Sequence, residues 1–145
     1  MYLLDTDALS FAGPTSSLTP DQREQWRRWV HDHQAEIYWS TISIMEVRYG
    51  IERARVRGAT RKADQLNHWL VGLEVTYRER LVPVTSAVAS LAGALLAKAE
   101  AAGCQPSSED AVIAASAELG SFILISRNGR DMAAMTDRWR DPLSL

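Results

Sequence analysis

The chain predicts an α/β fold, a three-layer α/β/α sandwich with helices on both faces of a central parallel sheet. Short apolar runs alternate with longer helical patterns from one end of the chain to the other. Those runs are continuously apolar, as strands covered on both faces are. A length of 145 residues is that of one domain with one real core, so residues 1–145 are read as a single unit.

The elements follow in order. Tyr2–Leu4 is a buried strand ending at Asp5. Gly13 to Asp21, with Pro14 and Pro20, is a loop. Asp21 to Gln34 is a helix started by Pro20, with Trp26, Trp29 and Val30 on one face. Ile37–Trp39 is a second strand. Ser43 to Arg57 is a helix with Ile44, Val47, Ile51 and Ala54 on one side, and Thr60 to Arg78 is another, carrying Leu66, Trp69, Leu70 and Leu73. Leu81–Val84 is a third strand, whose Pro83 places it at an edge or an end. Ser86 to Ala102 is an Ala- and Leu-rich helix stopped by Gly103, and Ser107 to Leu119 is one stopped by Gly120. Phe122–Ile125 is the strongest strand, and Asn128 to Met135 is a short helix. Asp137 to Pro142 is too polar to predict a closing strand.

Composition excludes several classes. Hydrophobic residues are 46% and charged residues 23%, which rules out disorder and low complexity. No apolar run approaches the ~20 residues of a membrane span. The acid at position 5 argues against a signal peptide, so a soluble, cytoplasmic protein is expected. Cys104 is the one cysteine, so it forms no intrachain disulfide and no zinc site by itself; it is read as structural. The net charge of −2 exerts no overall pull toward nucleic acid.

In open parallel sheets, ligands bind beyond the carboxyl ends of the strands. Asp5 follows the first strand, Ser40 and Thr41 the second, and Ser126, Arg127 and Asn128 the fourth, with Asp131 one turn on. Asp5, Glu46, Asp110 and Asp131 are therefore singled out. If the fold gathers them, their mutual repulsion pushes carboxylate pKa values up unless a cation fills the pocket. Oxygen ligands without His or Cys select Mg²⁺ or Mn²⁺, and such an ion suits phosphodiester hydrolysis. A plainer reading stands beside this one. Ser43 to Glu46, Ser107 to Asp110 and Asn128 to Asp131 each have the spacing of a capping box. Asp5 has no such local explanation, and a strand-end carboxylate is costly to bury without a partner.

These residues resemble a known family. Leu3-Leu-Asp-Thr-Asp-Ala-Leu9 is similar to the opening strand of PIN-domain ribonucleases. Ser43-Ile-Met-Glu-Val-Arg-Tyr-Gly50 resembles their second motif, a helix-borne glutamate. Pro106 to Ala115 resembles their third, an aspartate opening an alanine-rich helix, and Leu124 to Asp131 their fourth. The order and spacing are similar to those of VapC toxins of bacterial toxin–antitoxin pairs. The resemblance implies a PIN-like fold and a Mg²⁺- or Mn²⁺-dependent endoribonuclease, usually a homodimer, silenced by a VapB-type antitoxin. It implies Asp5, Glu46, Asp110 and Asp131 as catalytic acids, with Asp5, Asp110 and Asp131 on the metal. Ser126 and Asn128 would orient a metal-bound water or a phosphate. Arg127 and Arg48 are read as contacts to RNA phosphate.

The chain departs from the pattern at Asp7, read as a helix cap, and at Glu109, read as solvent-facing because adjacent helical residues point apart. Met132 stands where an aromatic often follows the last aspartate. Arg48, Arg53, Arg55, Arg57, Arg61 and Lys62 form a basic cluster, which is either a solvated helix face or a phosphate track toward the acids. His31, His33 and His68 are expected at the surface. A Trp left partly exposed on the Asp21–Gln34 helix would mark an interface. Two rival readings remain at this level. Leu4-Asp-Thr-Asp7 resembles the nucleophile and acid of haloacid-dehalogenase-type phosphatases, though no room follows Ser126 for their remaining motifs. The fold could also serve as a non-catalytic, partner-binding module.

Overall fold

The computed structural model describes residues 1–145. In chain order the elements are β1 (Tyr2–Leu4), α1 (Thr6–Ser10), α2 (Pro20–His33), β2 (Ile37–Ser40), α3 (Thr41–Val56), α4 (Thr60–Thr76), β3 (Leu81–Val82), α5 (Ser86–Ala101), α6 (Ser108–Gly120), β4 (Ile123–Ile125), α7 (Gly129–Met135) and β5 (Trp139–Arg140). The five strands form one parallel sheet in the order β3-β2-β1-β4-β5. No helix is long and apolar enough to cross a membrane.

Side-chain alternation along the strands makes the two helical layers. Leu3 and Leu124 point to one face and pack with Val88 and Leu95 of α5, Ile113 of α6 and Met132 of α7. Leu4, Ile37, Trp39 and Ile125 point to the other, against Leu9 of α1, Trp26 of α2, Val47 and Ile51 of α3 and Leu70 of α4. The predicted three-layer sandwich is therefore the architecture found.

Several boundaries differ from expectation, each for a local reason. A short helix, α1, follows directly on β1; its N-cap is Asp5, whose Oδ1 accepts from the Ala8 N–H at 2.7 Å. Asp7 lies inside that helix and is not its cap. The third helix starts at Thr41, capped by Ser40, so Ser43 is an interior residue and Glu46 is no capping-box acid. Asn128 makes no side-chain cap to α7, so that box is absent as well. Ser107 does cap α6, accepting from the Asp110 N–H at 3.1 Å. The closing strand exists: Trp139–Arg140 pairs with β4, and Ser126 N–H donates to the Arg140 carbonyl at 3.1 Å. Two residues are too few for strand propensity to register, and the free edge of β4 recruits them. Pro83 does sit just past the edge strand β3, as its missing N–H requires.

Gly103 terminates α5 in the left-handed region, φ +80°, as expected. Gly120 does not play this part for α6; Ser121 adopts the left-handed cap, φ 55°. Gly120 is needed for space, because a Cβ there would meet Phe122 Cε2 at 2.1 Å. Gly120→Ala is expected to destabilise the fold by about 1–3 kcal/mol, as overpacking against a buried ring does. Urea unfolding checks this, and an unchanged midpoint would contradict it.

Of the two tryptophans of α2, Trp29 is the one left partly exposed. Trp26 is buried, and Trp29 stacks between Trp26 and His33 at centroid distances of 5.2 and 4.8 Å. His33 is thus half-buried and not a surface residue; its Nδ1 lies 2.8 Å from the Trp29 carbonyl oxygen.

Candidate metal and nuclease site

From β1 the chain winds through β2 to β3 on one side; β4 and β5 lie on the other. The crevice between the carboxyl ends of β1 and β4 is therefore the topological switch point, where open α/β sheets bind ligands. Asp5 and Ser126 emerge there side by side, and the Asp5 N–H continues the ladder to the Ile125 carbonyl at 3.0 Å.

Asp5 is only 4% exposed, and its carboxylate accepts hydrogen bonds from the Ala8 N–H and the fully buried Ser126 hydroxyl. Burial pushes its pKa up to about 7; the two hydrogen bonds resist this, and the charges of Asp7 and Asp110 add to it. The Ser126 Oγ also accepts from the Asn128 N–H at 3.0 Å, which fixes the turn after β4. Asp110, at the start of α6, is half-buried and also shifted upward by burial, against hydrogen bonds from Ser107 and Asn128 and with repulsion from Asp131. Asn128 links the last two acids: its Nδ2 donates to Asp110 Oδ2 at 3.1 Å and to Asp131 Oδ2 at 3.0 Å. Glu46 comes from α3. Thr6 donates to its Oε1 at 2.5 Å, and Ser43 Oγ stands 2.9 Å from the same Thr6 oxygen. Burial raises the Glu46 pKa, and Glu109, Asp110 and Asp7 raise it further.

Asp5, Thr6, Asp7, Glu46, Asp110, Ile113 and Asn128 line one cavity of about 170 Å³. The four predicted acids are thus drawn to one end of the sheet, with differences among them. Asp131 meets Asp110 through Asn128 and does not itself line the cavity. Glu109 is half-buried beside Glu46, Met45 and Tyr49, and is not the solvent-facing residue expected. Arg48 points to α4, where its Nη1 donates to Asn67 Oδ1 at 2.7 Å, and lies outside this cavity. Arg127 is exposed, with its guanidinium carbon 5.7 Å from the Phe11 ring centre. The sequence carries no signal for Thr6, because its partner Glu46 is 40 residues away and no periodicity encodes that contact. The cap role of Asp5 was detectable, since Asp followed three residues on by a helical position is a cap signature.

None of Asp5, Glu46, Asp110 and Asp131 forms an ion pair. Buried carboxylates without a counter-ion are expensive, and only oxygen donors surround the cavity. In this arrangement no three acids stand close enough to share one ion. The donor set nonetheless fits a small hard cation such as Mg²⁺, which takes one or two carboxylates and keeps several waters. Asp5 and Asp110, both lining the cavity and both shifted upward, are the pair that suits it.

No curated protein sequence matches the chain. Several solved structures share its fold. FitAcB from Neisseria gonorrhoeae superposes with a TM-score of 0.79 at 23% identity over the whole of both chains. DNA-bound VapBC from Salmonella typhimurium gives 0.78 at 18% identity over 97% of each chain. A toxin–antitoxin complex from Klebsiella pneumoniae gives 0.63 at 21% identity over 98% of each. A family model, the PIN domain, matches residues 2–137 and so takes in every acid from Asp5 to Asp131. The chain belongs to the PIN domain family, a family of nucleases.

Proposed function

We propose that this protein is a divalent-metal-dependent endoribonuclease of the VapC toxin type, held inactive by a VapB-type antitoxin and acting as a homodimer. The observation that carries this reading is a set of carboxylates from separate elements, gathered at the switch-point crevice with no basic side chain paired to them. Asp5 and Asp110 would hold Mg²⁺ or Mn²⁺, and Glu46 and Asp131 would complete the acid set. When bound, the cation neutralises charge growing on the phosphate oxygens and lowers the pKa of a water. The chain's own residues do the positioning. Ser126 and the α1 backbone hold Asp5 in direction, Thr6 holds Glu46 by one oxygen, and Asn128 keeps Asp110 and Asp131 from swinging apart. The ordering of these acids before substrate arrives is worth rate, because misplaced groups near a phosphorus centre lose alignment.

The fold likeness to VapBC and to a toxin–antitoxin complex supports the partner part of the reading. The phosphatase alternative through Asp5 and Asp7 is not favoured, since Asp5 is a buried helix cap and the family is a nuclease family.

The test is cleavage of single-stranded RNA by purified protein. Mg²⁺ or Mn²⁺ is expected to support cutting and a chelator to stop it. Asp110→Ala is expected to lose roughly 100-fold or more, since even the residues that support metal ligands cost 10–100-fold. A folded wild-type protein that cuts no RNA with saturating metal would overturn the reading and favour the non-catalytic, partner-binding module.

A further inference from the structure

The acid cavity does not end at the acids. It shares Asp7 and Asn128 with a neighbouring groove of about 530 Å³, whose other walls include Ser10, Thr15, Ser16, Ser17 and Arg127. That groove in turn shares Thr15 with a third depression of about 430 Å³ between α3 and α4, lined by Arg53, Arg57 and Lys62 among others. The three form one path, from buried carboxylates, past a row of hydroxyls and one guanidinium, to a basic cleft.

The cations of the cleft are not paired with acids, although the Arg53 guanidinium carbon lies 5.6 Å from the Tyr49 ring centre. Arg53, Arg57 and Lys62 are exposed and form no ion pair, whereas Arg55, on the same helix, is held by Glu52 and Asp64. The chain as a whole is slightly acidic, with a net charge of −2, so this concentration of unpaired positive charge is local.

We infer that the path is the track of a single-stranded RNA segment, with the scissile phosphate at the acids and the flanking backbone in the α3–α4 cleft. This rests on the nuclease reading given above. Charge complementarity selects a polyanion, because Lys and Arg contact phosphates without reading bases. Hydroxyls of Ser10, Thr15, Ser16 and Ser17 suit phosphate and sugar contacts, again without sequence information. The sunken end selects a single strand. Asp5 is nearly fully buried at the bottom of a small cavity, and a paired, stacked duplex cannot lower one phosphate into it.

The test measures binding of a fluorescent single-stranded oligoribonucleotide by anisotropy across a salt series, with Ca²⁺ present. The variant R53A/R57A/K62A is compared with R27A/R28A/K98A, which removes the same charge from α2 and α5. These positions are all exposed, where substitutions leave folding nearly unchanged. The groove variant is expected to bind roughly 10-fold more weakly and to lower the salt slope by about 2, as loss of three phosphate contacts on a single strand requires. The control variant is expected to match the wild type in both. A duplex of the same length is expected to bind the wild type more weakly. Equal loss in the two variants, or equal binding of the duplex, would overturn the track. The two readings fail separately: wild type that binds RNA through the cleft but cuts none refutes the nuclease and leaves the track standing, while wild type that cuts RNA with the cleft variant binding as tightly refutes the track alone.

Discussion

Asp5→Asn is expected to abolish RNA cleavage while making the protein more stable above pH 7. The two effects have one cause. Asp5 is buried with no basic side chain paired to it, and burial pushes its carboxyl up to about 7 in the folded chain from the ordinary 3.8. The folded state therefore binds this proton more tightly than the unfolded state does. Between pH 4 and 7 the unfolded chain has released the proton and the folded chain still holds it, so stability falls as pH rises through that window. Above it, the charged carboxylate costs the fold about 2–4 kcal/mol, from roughly 1.4 kcal/mol per unit of displacement and allowing for relaxation. Asn removes the charge and keeps the shape, and it caps a helix as well as Asp does, so the bond from Ala8 survives.

A rise in melting temperature of roughly 5–15 °C at pH 8 is expected, shrinking toward zero at pH 4. Mg²⁺ or Mn²⁺ is expected to raise the wild-type melting temperature at pH 8 and to leave that of the variant nearly unmoved. Cleavage is expected to fall by about 100-fold or more, since a direct ligand matters at least as much as its supports. A variant that still cuts, or that melts no higher than wild type at pH 8, would show that Asp5 is a structural cap with no stored electrostatic cost. The pattern expected is that of a functional site held at the expense of stability.

The second large effect belongs to Asn128. Its amide is the one group that donates to both Asp110 and Asp131. Asn128→Ala leaves those two carboxylates facing each other with no donor between them. Burial, and to a lesser degree repulsion from Asp131, already raises the Asp110 pKa, and the hydrogen bond from Asn128 opposes that rise. Without it, Asp110 holds its proton to higher pH, and the acid limb of the pH–activity curve is expected to move upward. Activity at neutral pH is expected to drop by about 10–100-fold, the usual cost of losing a group that orients metal ligands. Thermal stability is expected to change little, because the Asn128 side chain caps no backbone N–H. The checks are a kcat/KM profile against pH and a melting curve. An unshifted acid limb would mean that the amide does not govern how Asp110 ionises.

Much of this is legible in the amino-acid sequence itself. The buried strands declared themselves because both faces of a parallel sheet are covered and the chain must be apolar throughout. Helices α2 to α4 show in their apolar periodicity, and α5 and α6 in Ala-rich stretches followed by glycine. The four acids stood out because each follows a strand or opens a helix, and all four do gather at one end of the sheet. The errors have physical causes of their own. Ser43 and Glu46 have the spacing of a capping box, but the chain enters its helix at Thr41, one Ser earlier, and the pair became interior groups that meet Thr6. Arg48 shares a helix with Glu46 but turns to Asn67, because residues two apart on a helix face different ways. For the same reason the adjacent Glu109 and Asp110 cannot point alike, yet α3 packs close enough for Glu109 to lie beside Glu46. The strand at Trp139–Arg140 is made by its neighbour β4 and not by its own composition.

Periodicity, end signals and the placement of acids after strands are local properties, written into neighbouring residues, and they determine the α/β class and the oxygen donors the chain has to offer. Which acid lines the cavity, which one stands behind an amide, which carboxylate is buried enough to keep a proton near neutral pH, and whether the basic helix surface connects to the acids are relations between distant segments. They depend on packing distances and on solvent exclusion, which arise only when the sheet closes between its two layers of helices.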